Sequence, residues 1–221
     1  MLLHMITSDP QRTPNFILFA NPDYFFLTSS KAPSCTAIPS CFIQTRDHAW
    51  NHGDFQDEIT HTWLGIVGPG VRQAGPVGNI FTDHTDIRPT IFSLTQLKDD
   101  YTHDGRVIFE IIADNALPVP LRGHTRTLTQ LAEVYKQINA PAGTLGIMTL
   151  TGISTQALQS SDASTYLALE TKLTNLTDQR NAIASQMIAM LENAAFNGQK
   201  IDEEAAKSLI AQAQALLNSL N

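Results

Sequence analysis

Leu169, Leu173, Leu176, Arg180, Ile183, Met187 and Met190 follow one another at steps of three and four residues. An α-helix turns once every 3.6 residues, so this spacing lines them along one side of a single long helix. Ser160, Ser161 or Asp162 is suited to cap its start, and "FNGQ" stops it, with Gly198 fitted to a left-handed C-terminal cap. A second helix is predicted from near Asp202, carrying Ala206, Leu209, Ala213, Leu216 and Leu220 on one face. Two amphipathic helices joined by so short a turn form an antiparallel hairpin, and the Leu and Met stripe reads as its core. Upstream, residues 127–138 form a further helix, and "NAPAGTLGIMTLTG" reads as a small-residue connector.

The first half carries a different pattern. "NFILFANPDYFFLT" alternates as a strand, turns at "NPD" and continues into a second short strand over residues 24–27. "TWLGIVG" is a continuous apolar run of strand length, as in a covered, mostly parallel sheet, and "PGV" ends it. In "TDHTDIRPTIFSLTQL", Thr85 or Asp86 caps a helix with Ile87, Ile91 and Leu94 on one face and Pro89 in its first turn. "KDDYTHDGRVIFE" turns at Asp104 and Gly105 into a short strand. The expected class is therefore α/β: a partial doubly wound sheet over residues 1–115, then a helical extension over 116–221 ending in the hairpin.

Charge narrows the function classes. The net charge is −7, and six of the seven histidines lie in the first 115 residues, together with most of the excess acid. Phosphate neutralisation needs clustered Lys and Arg, so no nucleic-acid surface is expected, and no basic run suits an anionic membrane. No apolar run approaches the ~20 residues of a membrane span. "MLLHMITSDP" lacks the basic and apolar regions of a secretory signal. Cys35 and Cys41, in "SCTAIPSC", either close a small disulfide loop or remain two thiols.

His52, in "WNHGD", stands on a loop ahead of the apolar run, where open α/β sheets place their ligands. Neutral imidazole is a good zinc donor, and Asp54 or Asn51 can orient its second ring nitrogen. Asp83 and His84, beside Asp86 in "TDHTD", offer further metal donors. The competing account is helix capping by Asp86 with Asp83 in solvent, which a helix N-terminus favours over a nearby cation. His48, His61 and His103 are assigned to the surface or to supporting contacts, and Asp99, Asp100 and Asp104 to turn chemistry. No Gly-x-Ser-x-Gly elbow, phosphate-cradling loop, His-Glu-x-x-His or Cys-x-x-Cys occurs.

Taken in order, "RTPNFILFANPDYFF", "WNHGD", "TWLGIVGPGV" and "DHTDIRPTIFSLTQLKDDYTHDGRV" resemble the C-terminal part of alkaline-phosphatase-superfamily hydrolases. The branch is that of the type I phosphodiesterases and nucleotide pyrophosphatases, and the likeness covers roughly residues 8–112. It implies a doubly wound fold, a phosphoester substrate and two divalent ions, usually zinc, with His52 as a ligand of one. The nucleophile and the remaining ligands of that family find no counterpart here. One donor cannot hold a catalytic zinc, which takes about three protein donors and a water. The resemblance therefore implies a chain inactive by itself, associating with a complementary N-terminal fragment or with itself. The alternative is a non-catalytic interaction protein that works through its helical hairpin.

Overall fold

The computed structural model describes residues 9, 11–14, 19, 21, 57–98 and 100–220. The chain divides into two compact units, Pro14–Ile66 on one side and Met1–Thr13 with Val67–Asn221 on the other. In the smaller unit the described residues include a short helix, α1 (Asp57–Thr60). The strands expected over residues 15–27 fall almost wholly outside the described residues, as do Cys35 and Cys41.

The larger unit is helical. It comprises α2 (Ile87–Thr95), α3 (Thr125–Asn139), α4 (Thr144–Met148), α5 (Thr155–Gln159), α6 (Ala163–Phe196) and α7 (Glu203–Asn218). A π-helical stretch, Thr149–Ser154, joins α4 to α5. The α/β expectation is overturned: among the described residues there is no strand, and β pairing is limited to one antiparallel bridge, Val71 to Ile112. Residues 62–67 form neither helix nor strand, and Trp63 is 89% exposed and Val67 fully so. An apolar run supplies the side chains of a covered strand but not the neighbouring strands that make it one, and among the described residues it has none. The segment after Gly105 likewise forms a 3-10 turn, Phe109–Ile111, in place of the expected strand.

The core lies between α3, α6 and α7. Leu128, Leu131, Ala132, Tyr135 and Ile138 of α3 meet Leu176, Ile183, Met187 and Leu191 of α6 and Ala206, Leu209, Ala213 and Leu216 of α7. The caps follow the sequence. Asp162 accepts from Thr165 N, and Asp202 accepts from the amides of Glu204 and Ala205. Gly198 takes a φ of +60°, the left-handed conformation in which a side chain is disfavoured. Within residues 139–152, expected as a connector, the chain from Thr144 onward is instead helical, continuing through the π stretch and α5 to Gln159 and packing on α3 and α6. Its Thr and Gly content gives weak intrinsic propensity, so packing rather than local preference makes it helical.

Candidate functional site

The pieces that carry the resemblance within the larger unit converge on residues 104–114. "GPGV" makes a turn in which Val71 N donates to Gly68 O (3.2 Å) and Gly70 sits at φ +81°. Only glycine is comfortable there. A Cβ on Gly70 would stand 3.0 Å from Ala116 Cβ and 3.2 Å from a methyl of Leu94. Arg72 N then donates to Ile111 O, and Ala113 N to Gly70 O, each at 2.8 Å. Arg72 also reaches Ile112 O through Nε (2.9 Å) and Asp114 Oδ1 through its guanidinium (2.7 Å).

"D-I-x-P-T" grips the same segment from the other side. Asp86 and Thr90 are four residues apart, one above the other on the helix face. Asp86 Oδ1 accepts from Arg106 N (2.8 Å), and Thr90 Oγ1 accepts from Ile108 N (3.0 Å). The Thr90 hydroxyl donates in turn to Asp86 O (2.6 Å). Two side chains thus take the place of a neighbouring strand for alternate amides of residues 106–108. Just before them comes Gly105, whose added Cβ would meet Thr85 O at 2.1 Å and Asp86 N at 2.6 Å. No rotamer change relieves a backbone clash of that size.

Asp83 is the N-cap. Its Oδ1 accepts from Thr85 N (2.9 Å) and from the Thr85 hydroxyl, while its own amide donates to Asp86 Oδ2 (3.0 Å), closing a capping box. Lys136 Nζ, from α3 and 1% exposed, completes the cluster by donating to Asp83 Oδ2 (2.7 Å) and Asp86 Oδ1 (3.0 Å). Burial works to raise the Asp83 pKa, but the bonds from Lys136 and Thr85 outweigh it and hold the carboxyl below its ordinary value. Asp86 is wholly buried, and there desolvation wins: its pKa is raised despite Lys136 and the Arg106 amide. Arg106, equally buried, pairs with Glu110 and donates to Phe81 O (3.2 Å).

Neighbouring polar contacts fasten the hub to the helices. Tyr135 Oη donates to Asp104 O (2.8 Å) and accepts from Asn139 Nδ2 (2.7 Å), and Arg180 donates to Asn139 Oδ1 (2.8 Å). Burial pushes the Tyr135 phenol well above its ordinary range. His103, expected at the surface or in support, is buried among the rings of Phe92, Tyr101 and Phe196. Its amide donates to Glu192 Oε1 (2.9 Å), and ring Nδ1 lies 3.2 Å from the same oxygen.

Of the proposed metal ligands, His52 with its neighbours Asn51 and Asp54 lies outside the described residues, as does His48. His84 is exposed, and the Asp83 carboxylate serves the cap and Lys136. Thus capping, the competing account of "TDHTD", is what the geometry uses, with Asp83 as the cap and engaged by Lys136 rather than left in solvent. Among the described residues no group of three or more His, Cys, Asp or Glu is arranged to hold a metal ion. Lys136 and Arg106 escaped the sequence reading, though Lys136 beside Tyr135 on the buried side of α3 was a visible signal of a paired, buried charge. No described helix is long and apolar enough to cross a membrane. The chain matches no family model, no curated protein and no solved structure.

Proposed function

We propose that the chain is the C-terminal portion of a metal-dependent phosphoric-ester hydrolase of the phosphodiesterase/nucleotide pyrophosphatase type, inactive when alone. In this reading His52 donates one ligand to a divalent ion, zinc by preference, with Asn51 or Asp54 orienting its ring. The described residues do not themselves suffice for a metal, so the remaining donors, the nucleophile and the substrate contacts belong to a complementary N-terminal fragment.

One observation supports the reading above the others. "GPGV", "D-I-x-P-T" and "H-D-G-R-V" are weak as separate motifs, yet all three meet at one hub, where Gly70, Asp86, Thr90 and Gly105 each have a specific geometric duty. A series of residues that cooperate physically is better evidence of a shared ancestral device than the same letters scattered along a surface.

The test is zinc retention and turnover by the full chain. Weak zinc binding that His52→Ala removes and His84→Ala leaves intact is expected, with no hydrolysis of an aryl phosphodiester in zinc or manganese. Zinc retention indifferent to His52→Ala would remove the metal assignment. Robust turnover abolished by that substitution would show that the chain carries a complete site.

A further inference from the structure

The end of the bundle formed by α4, the π stretch, α5 and the first turns of α6 is almost free of charge. Between residues 137 and 169 the only charged side chain is Asp162, in a chain where 16% of residues are charged. The same stretch leaves Ile147, Leu150, Leu158, Tyr166 and Leu167 between 41% and 83% exposed. The chain reverses at residues 160–162, so α6 runs back against α5 and the two groups of side chains share one end of the molecule. Helix α6, at 34 residues, also outruns its partners α3 and α7, at 15 and 16. It is about 50 Å long against about 24 Å for either of them. Its first turns are therefore exposed, and its buried residues begin at Leu176.

We infer that this neutral apolar end is a self-association surface, on which a second copy of the chain docks about a two-fold axis. Charge selects that occupant. Elsewhere two chains of net charge −7 repel on approach. The uncharged end lets them meet with the acidic surfaces turned away and screened beyond about 8 Å at physiological salt.

Area agrees. Five large side chains at these exposures uncover on the order of 500 Å² per copy, and two copies reach the roughly 1,000 Å² of total burial at which a specific interface begins. A lipid surface fits less well, because the rim of this face is Ser, Thr and Gln and lacks the Lys and Arg of an interfacial helix. The inference is independent of His52 and of the hydrolase descent.

Light scattering on the full chain at micromolar to 100 μM concentrations tests it, with the helical melt followed by circular dichroism. A dimer is expected, weakened about tenfold or more by Leu158→Glu or Leu167→Glu with the melt unchanged. Mixing Leu158→Glu with Leu158→Lys should restore association that neither variant shows alone, which a folding defect would not do. A monomer throughout the range overturns the proposal. So does a dimer indifferent to both glutamate variants, or a monomer that binds phosphatidylcholine vesicles through Leu158.

Discussion

The hairpin of α6 and α7 and the hub at residues 104–114 are held together by opposite means. The hairpin is periodic and apolar, and its buried positions are interchangeable in kind: Leu209 or Met187 does for its helix what another large aliphatic side chain would. The hub is aperiodic and polar. Asp86 has one replacement-proof place, between the Arg106 amide, the Asp83 amide and Lys136. Packing of the first kind degrades gradually as atoms are removed, whereas a buried charge cluster fails when one member is lost, because its partners stay buried without compensation.

The largest expected effect breaks the hub. Asp86→Ala leaves the Arg106 amide without its buried acceptor and Lys136 Nζ with Asp83 as its remaining carboxylate, and should cost about 3–5 kcal/mol in chemical denaturation. Adding Lys136→Met should recover part of that loss, since the double variant also removes a buried ammonium that has lost one of its two carboxylates. A loss below about 1 kcal/mol for Asp86→Ala would show that the hub is not the polar keystone described. In the hairpin, Met187→Ala should cost roughly 2–4 kcal/mol and Met187→Leu under about 1.5 kcal/mol. Equal costs for the two would erase the contrast between the regions.

Acid sharpens it further. Asp83 has a lowered pKa, so its contribution is present above the ordinary carboxylate value of 3.8 and is lost as pH falls through the lowered value. Asp86, raised by burial, works in the other sense, since its ionised form is the disfavoured one and its contribution falls away as pH rises. Asp83→Asn should therefore flatten the acid limb of the stability profile below about pH 4, read by denaturant titration at stepped pH. The smallest effect belongs to Asp162, whose carboxyl is held down to about 2 by bonds from Ser164 and Thr165. It lies fully exposed at the start of α6, and Asp162→Ala should fray the first turn, seen as faster amide exchange there with little change in the global melt.

The same contrast explains what the amino-acid sequence revealed. Helices α3, α6 and α7, their starts at Asp162 (one of three candidates) and near Asp202, and the left-handed Gly198 follow from spacing and local chemistry, and were legible. The apolar run at residues 62–68 has the composition of a sheet strand, but a strand is made by its neighbours, and the letters of the run do not contain them. The helix over residues 144–159 was hidden because Thr, Gly and Ser obscure its periodicity, and only contact with α3 and α6 makes it helical. At the hub, Asp86 was read as a cap in competition with a metal. Its bond to an amide 20 residues away was invisible, since nothing in a linear pattern says which distant N–H a buried carboxylate will meet.

The grip of Asp86 and Thr90 on two amides also makes a clock. The N–H groups of Arg106 and Ile108 are shut away from water by a carboxylate at the N-cap of α2 and a hydroxyl within its first turn. A deuterium placed there leaves only when that helix lifts off. These two sites therefore time the undocking of α2, apart from any breathing of the hairpin behind it.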